Sequence, residues 1–254
     1  MLSRLLDLFR ANKSAHRSII VPFPDDREIE HHPVAQATGE IVAFFTSNSF
    51  YVHEARRMIA SAVRLGLEVT ATAIESAGSW VRNAAMKPSF LLKERRHKRG
   101  PLLYVDVDAV FHRNPWPALA SFDGDLAVHY SDNGRLISAT ILINDTPAAL
   151  RLIEMWKERC DEDPDIWDQL VLQQIIAEDQ ASGARQFQVG SLPVSFCWIF
   201  DRLTNEKTDV VYIEQLQASR QATHKKRLFG RVGKRLRRRR ERVRQIEEVL
   251  IGSA

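Results

Sequence analysis

The sequence is poor in cysteine and has no long apolar runs. Its 254 residues include two cysteines, Cys160 and Cys197, far apart and in no C-x-x-C pair. That excludes a disulfide-built scaffold, gives no zinc or redox motif, and favours a reducing compartment. No window approaches the roughly 18 consecutive apolar residues of a spanning helix. The opening MLSRLLDLFRANK carries charge at Arg4, Asp7 and Arg10, so it lacks a secretory apolar core. Together these absences point to a cytoplasmic protein. G-x-S-x-G, phosphate-loop and G-x-G-x-x-G patterns are also missing. What is present is an ordinary globular composition, 44% hydrophobic and 27% charged, which excludes intrinsic disorder and is long enough for one sizeable core.

Charge is unevenly spread. Lys225 to Arg244 holds twelve Lys or Arg residues and one acid, Glu241, while the whole chain is +4, so the remainder is acidic. A nucleic-acid-binding body is therefore not indicated. In the tail, Phe229, Val232, Leu236, Val243, Ile246 and Leu250 alternate spacings of three and four, with Arg239 in the one missing place. This predicts an amphipathic helix. It can lie on an anionic membrane surface, which would make the protein peripheral on the inner face, or pack on the body or on a second copy in a homodimer. With one aromatic, Phe229, it is poorly suited to stacking nucleic-acid bases.

Hydrophobic periodicity organises the rest. Leu2, Leu5, Leu6 and Phe9 predict a short amphipathic helix, and residues 13 to 38 a loop. Ile41 to Ser49 reads as a buried parallel strand running into a loop. Ala55, Met58, Ile59, Ala62 and Val63 predict a helix ended by Gly66, and Leu67 to Ile74 a second strand, which begins a βαβ pattern. Pro88 opens a helix through about Lys98. Pro101 to Pro115 is an apolar strand that runs into two aspartates, and strands follow at Leu126 to His129 and Ile137 to Ile143. Thr146-Pro147 caps a helix that turns Leu150, Ile153 and Trp156 inward. Asp163-Pro164 looks like the same device ahead of Trp167, Leu170, Val171 and Ile175. Val210 to Ile213 reads as the last strand. The organisation expected is an N-terminal helix and loop over 1–38, a catalytic domain over 39–222 and a basic helical tail over 223–254.

Asp106 and Asp108 carry the most information. In an extended chain, residues two apart face one way. Two carboxylates at the carboxyl end of a buried strand stand where open α/β sheets bind ligands. Unpaired, they repel, and a hard divalent cation, Mn²⁺ or Mg²⁺, removes the conflict while sharing its oxygen ligands with a substrate diphosphate. Two chemistries use D-x-D in this position. In a haloacid-dehalogenase-like phosphotransferase the first Asp is the nucleophile; in a nucleotide-sugar transferase the pair holds the metal. The first opens its chain with this strand, whereas here about a hundred residues and a βαβ unit precede it, which favours the second.

A series of segments in order then resembles the nucleotide-diphospho-sugar transferases of the GT-A fold: IVAFFTSNSFY, WVRNAAMKPSFLL, LLYVDVDAVFHRNP, LISATILIND, TPAALRLIEMW, WDQLVLQQ, LPVSFCWIFD and VVYIEQLQASR, spanning Ile41 to Arg220. The resemblance implies a Rossmann-like α/β/α sandwich with a mixed, mainly parallel central sheet. It also implies transfer of a sugar from a UDP- or GDP-linked donor to a glycan or lipid-linked acceptor, as in cell-envelope polysaccharide synthesis. By the same resemblance, Thr46 and Ser47 face the nucleotide, and Arg82 and Lys87 lie near the diphosphate. Asp106 and Asp108 hold the metal. Ser138, Ala139 and Thr140 match a small-residue turn beside the sugar, with alanine where glycine is common. Asp168 and Gln169 match the catalytic pair at the transferred sugar. Trp198 and Asp201 line the acceptor side. The family commonly has a histidine metal ligand shortly before Q-A-S-R; this chain has Glu214-Gln215-Leu216-Gln217 there. Gln215 or His224 is then the candidate third ligand, or water completes the shell. The missing histidine keeps open a catalytically degenerate, glycan-binding scaffold. His31-His32 is read as solvent-exposed, and His97 and His112 as without pattern.

Overall fold

The structure is a computed structural model that describes residues 21–25, 39–202, 208–222 and 233–252. The expected N-terminal helix, His31-His32, Phe229, Val232 and His224 lie outside the described residues. Strand β1 (Glu40–Thr46) leads through helix α1 (Tyr51–Val63) to β2 (Val69–Ile74), which pairs parallel to β1 from Ile41↔Val69 onward. Gly66 takes φ +68° after the helix, the left-handed conformation that favours glycine. Two helices follow, α2 (Trp80–Ala85) and α3 (Lys87–His97). Then come β3 (Leu102–Val105), β4 (Ala109–Phe111), α4 (Trp116–Leu119), β5 (Leu126–Tyr130) and β6 (Leu136–Ile143). Helices α5 (Pro147–Glu162) and α6 (Asp168–Ser182) precede β7 (Val189–Ser191), β8 (Trp198–Ile199), β9 (Ile213–Gln215), α7 (Ser219–Ala222) and α8 (Lys234–Gly252).

Six strands form the central sheet in the order β2-β1-β3-β6-β5-β7; β6 alone runs antiparallel to its two neighbours. Both faces are buried. Ile41 and Ala43 pack with Met58 of α1 on one side, while Val42 and Phe44 pack with Leu91 and Trp156 on the other. This is why β1 and β3 read as unbroken apolar runs rather than alternating ones. A smaller sheet, β4-β9-β8, stands beside the main one.

Local expectations hold at one helix start and are corrected elsewhere. The Thr146 side chain caps α5 by accepting from the Ala149 backbone N–H at 3.0 Å. Asp163-Pro164 does not cap α6. The Asp163 carboxylate instead accepts from the Asp165 N–H at 3.1 Å, a turn within the connection, and α6 begins at Asp168 with Trp167 before it. Leu170 points to solvent, and Leu172 and Ile176 take inward places beside Val171 and Ile175. The last strand starts at Ile213, not Val210. The short α2, β4, α4, β7 and β8 carry too few periods for sequence reading to register.

Helix α8 packs on the body. Leu236 and Ile246 are buried, and Val243, Val249 and Leu250 join Phe23, Val110, Phe200 and Leu216 in one cluster. Arg239, in the gap of the apolar stripe, is buried because it meets the buried Glu54 of α1 at 2.6 Å. Arg242 makes two 2.7 Å hydrogen bonds to Glu214 of β9, whose Oε2 also meets Nε2 of the buried His112 at 2.7 Å. Burial alone would raise the Glu214 carboxyl, but Arg242 and His112 hold it below the usual carboxylate range. Arg242→Ala leaves Glu214 with one partner in a dry site, and is expected to lower stability by about 3 kcal/mol in urea unfolding. An unchanged midpoint would show that this pair does not hold the helix.

Candidate functional site

The carboxyl ends of β1 and β3 and the middle of β6 open into a cleft of about 340 Å³. Asp106 and Asp108 reach it through a turn, not through the pleat of a strand. The chain leaves β3 at Val105 and closes a hydrogen bond from the Ala109 N–H to the Asp106 carbonyl at 2.9 Å, which brings both carboxylates to the same opening. The Asp106 N–H donates to the Ala139 carbonyl at 2.8 Å, so the turn is fastened to β6.

Lys87 organises the floor. It is the first residue of α3, and its buried ammonium donates to the Ser138 carbonyl and hydroxyl at 3.0 Å each. The same nitrogen lies 3.1 Å from Asp106 Oδ1 and 3.3 Å from Asp168 Oδ2. Burial alone would lower the Lys87 pKa, but the two carboxylates outweigh it and hold the value above the ordinary one. Asp168, 1% exposed, is pushed up by burial, with Lys87 pulling the other way. Its Oδ2 accepts from Ser138 Oγ at 3.1 Å, and Gln169 Oε1 accepts from the Ser138 N–H at 3.3 Å. Tyr104 donates its hydroxyl to Asp106 Oδ1 at 2.8 Å. Asp108 Oδ2 accepts from the Ala218 N–H at 2.5 Å, and burial followed by the charge of Asp106 pushes this carboxyl up to about 7.

Ser138 and Ala139 enter the cleft because the β5–β6 ladder breaks, whereas Thr140, expected beside the sugar, does not line it. Val128 faces Ile141, whereas His129 already faces Ile137, so three residues of β6 bulge away from β5. Thr140 keeps its place opposite Val105 and donates its hydroxyl to the Phe196 carbonyl at 2.7 Å.

The expected residues separate into two groups. Thr46, Lys87, Asp106, Asp108, Ser138, Asp168 and Gln169 converge on the cleft from the end of β1, the start of α3, the turn after β3, the interior of β6 and the start of α6. Ser47 is fastened by its N–H to the Ile74 carbonyl at 2.7 Å and does not line the cleft. Arg82 faces solvent, forms a two-pronged pair with Asp165 at 2.8 Å, and does not line the cleft. Trp198 and Asp201 lie outside this cleft, and Asp201 pairs with Arg220 at 2.6 and 2.7 Å. Sequence reading missed Tyr51, Tyr104, Trp80, Arg135 and Gln217, which also surround the site. Trp80 and Trp167 lie 6.2 Å apart between ring centroids at its mouth, with the Arg135 guanidinium 4.7 Å above Trp167. The W-D-Q run was the available signal for Trp167; Tyr104 carried none beyond its position two residues before Asp106.

The donor set suits a hard divalent cation. Among the described residues, Asp106 Oδ2 and Asp108 Oδ1 have no hydrogen-bond partner, and burial, then the charge of Asp106, raises the Asp108 carboxyl. Gln215 donates from Nε2 to the Ala139 carbonyl at 3.2 Å and to Thr140 Oγ1 at 3.1 Å, leaving its buried Oε1 unpartnered. No group of three His, Cys, Asp or Glu that could hold a metal occurs among the described residues. Few protein oxygens with room for substrate oxygens is the pattern that Mg²⁺ and Mn²⁺ accept.

The profile of the nucleotide-diphospho-sugar transferase family matches residues 94–229, just over half of the chain. The chain belongs to that family. It is thus a glycosyltransferase, and the family match leaves the phosphotransferase reading of Asp106 without support. Among solved structures, a glycosyltransferase involved in the glycosylation of the major capsid of PBCV-1 superposes with a TM-score of 0.54 at 10% identity, covering 82% of this chain and 99% of that one. The glycosyltransferase GlyE of Streptococcus pneumoniae TIGR4 gives a TM-score of 0.48 at 14% identity, over 84% of this chain and 63% of its own. The first of these likenesses agrees with the expected GT-A α/β fold. No curated protein matches the sequence. No helix among the described residues is long and apolar enough to cross a membrane.

Proposed function

We propose that this transferase moves a sugar from a UDP- or GDP-linked donor, bound in the cleft above β1, β3 and β6, to a glycan or lipid-linked acceptor. The observation that carries the reading is the buried Lys87 shared by Asp106, Asp168 and Ser138 at the cleft floor. The bond from the anomeric carbon to the diphosphate breaks, with its electron pair leaving on the diphosphate. The acceptor oxygen bonds to that carbon and gives up its proton to a base. Asp168 is our candidate for that role or for stabilising charge at the anomeric carbon, a reading supported by its Oδ2 being tied to Lys87 and Ser138 while Oδ1 has no hydrogen-bond partner among the described residues. Asp106 and Asp108 would hold Mn²⁺ or Mg²⁺, with the unpartnered Gln215 oxygen a candidate third protein ligand; such an ion would supply positive charge to offset that of the leaving diphosphate. Trp80 and Trp167 offer ring faces at the mouth of the cleft.

The outward face of α8 supports an anionic membrane surface as a further partner. Arg235, Arg237, Arg238 and Arg240 are exposed there with no carboxylate partner among the described residues, while the apolar stripe is covered by the body. Attraction by charge alone, without insertion, is the binding mode this arrangement supports.

Calorimetric titration of UDP and GDP, with and without Mn²⁺, tests the donor site. Metal-dependent binding of one nucleotide is the expected result. Binding of neither would overturn the reading in favour of a degenerate scaffold.

A further inference from the structure

Helix α8 carries one arginine inside its apolar stripe. Arg239 stands where the spacing calls for an apolar side chain, and it is 2% exposed. Its guanidinium reaches two other helices at once. Nη2 lies 2.6 Å from Glu54 Oε1 of α1, and Nη1 donates to Gln221 Oε1 of α7 at 3.2 Å. Both helices begin at the donor cleft. Tyr51 at the head of α1 lines it, as do Gln217 and Ser219 around the start of α7.

Glu54 has a second cation. Its other oxygen, Oε2, accepts from Arg57 Nη1 at 2.6 Å, and Arg57 is held in turn by Glu247 at 2.6 Å. Helix α7 is the element with more to gain from Arg239. It is a single turn of four residues, too short to hold together alone. The chain enters it through Gln217 at φ +56°, a left-handed conformation that strains a residue other than glycine. Its grip on the donor site is the Ala218 N–H, which donates to Asp108 Oδ2 at 2.5 Å. The Gln221 N–H bonds back to the Ala218 carbonyl at 2.8 Å, so a hold on the Gln221 side chain is a hold on Ala218 one turn away. The pair of Arg220 with Asp201, at 2.6 Å, fixes one point of the turn, and a second point is needed to fix its direction.

We propose that Arg239 is a positioning residue for the donor site: it fixes α7 so that the Ala218 N–H holds one oxygen of Asp108 and leaves the other, Oδ1, for the divalent cation. The inference rests on the donor-site reading and gives the basic tail a task in it, separate from meeting a membrane surface. A planar fork suits that task. Lysine offers a single point charge and does not hold two helices in a fixed direction.

The test uses the full chain and four substitutions. Arg239→Lys keeps a charge for Glu54 and loses the fork. Gln221→Leu removes the acceptor at an exposed position and leaves every buried charge in place. Gln221→Glu restores an acceptor oxygen. Ile246→Ala loosens the packing of α8 and leaves Arg239, Glu54 and Gln221 unaltered. Two quantities are read well below every melting midpoint. One is hydrogen exchange of the Ala218 amide in the metal-free protein, with the Asp106 amide as internal reference. The other is affinity for UDP and GDP with and without Mn²⁺.

The expected result is Ala218 exchange at least about tenfold faster in Arg239→Lys and Gln221→Leu, the scale of one hydrogen bond to a charged group, with the Asp106 amide unchanged. Mn²⁺-dependent nucleotide binding should weaken about fivefold or more in both, while metal-free binding stays within about twofold of wild type. Gln221→Glu should keep both quantities near wild type, and Ile246→Ala should lower the midpoint and leave both unchanged. Ala218 exchange within twofold of wild type in Gln221→Leu would overturn the proposal. So would an equal loss of protection in Ile246→Ala, which would make the effect one of stability alone. A wild type that binds neither nucleotide overturns the donor reading instead, and Ala218 exchange then still decides whether Arg239 fixes the turn. Should Arg239→Lys not fold, Gln221→Leu applies the same criterion.

Discussion

Replacing Lys87 with methionine is expected to reduce sugar transfer by about 1,000-fold or more and to destabilise the protein by about 3–5 kcal/mol. The side chain keeps its length and loses its charge. Asp168, 1% exposed, would then face Asp106 with no cation between them, and both Ser138 acceptors would lose their donor. Removing one partner of a buried charge group is costly because the remaining charge stays in a dry site, not because the pair itself is strongly stabilising. For a domain of this size the stability change amounts to a melting shift of roughly 10 °C. Transfer should therefore be assayed well below the variant's own midpoint. A Lys87→Met protein with wild-type turnover would remove this cluster from the mechanism, and one with a wild-type melting point would show that Asp168 takes up a proton instead.

Asparagine at position 106 or 108 is expected to abolish metal-dependent nucleotide binding and to lower transfer by at least about 100-fold, without unfolding the chain. The two variants should differ in stability. The Asp108 carboxyl is pushed up to about 7 by burial and then by Asp106. Its folded value thus lies above the ordinary value of about 3.9, so between those limits the native state binds its proton more tightly than the unfolded chain does. Stability from this group falls as the pH rises from about 4 to about 7 and is level above that. Asp108→Asn removes the penalty and should melt higher than wild type at pH 8, with the gap closing toward pH 4. Added Mn²⁺ should raise the wild-type midpoint at pH 8 and leave the variant's nearly unchanged. A variant that melts no higher than wild type at pH 8, or that keeps full activity, would contradict the assignment.

The main sheet was legible because its signal is chemical and local. Ile41 to Thr46 and Leu102 to Val105 are apolar on both faces, and Thr146-Pro147 announces its helix with a hydroxyl and a ring. Asp106, Asp108, Asp168 and Gln169 are singled out by their order along the chain, and the structure brings all four to one cleft. Which groups they touch could not be read that way. That depends on a ladder break which swings Ser138 toward Lys87, and on a β9 that returns from more than a hundred residues away to put the Ala218 N–H on Asp108. Arg82 is the opposite case: a cation in the expected motif lies at the surface, paired with Asp165. Arg239 breaks an apolar stripe, and its burial is explained by Glu54 on a distant helix together with Gln221.

The hydrogen bond from Arg242 to the Val21 carbonyl joins residues 221 positions apart, and Ile246 shares its cluster with Phe23. A ribosome therefore exposes Phe23, Val110 and Phe200 long before it makes the helix that covers them. Until then the nascent domain has an uncovered apolar groove and a buried-type acid, Glu214, without its arginine. Folding that waits on such distant contacts is slow and open to aggregation. Truncation before α8 should accordingly trap the chain in that exposed condition.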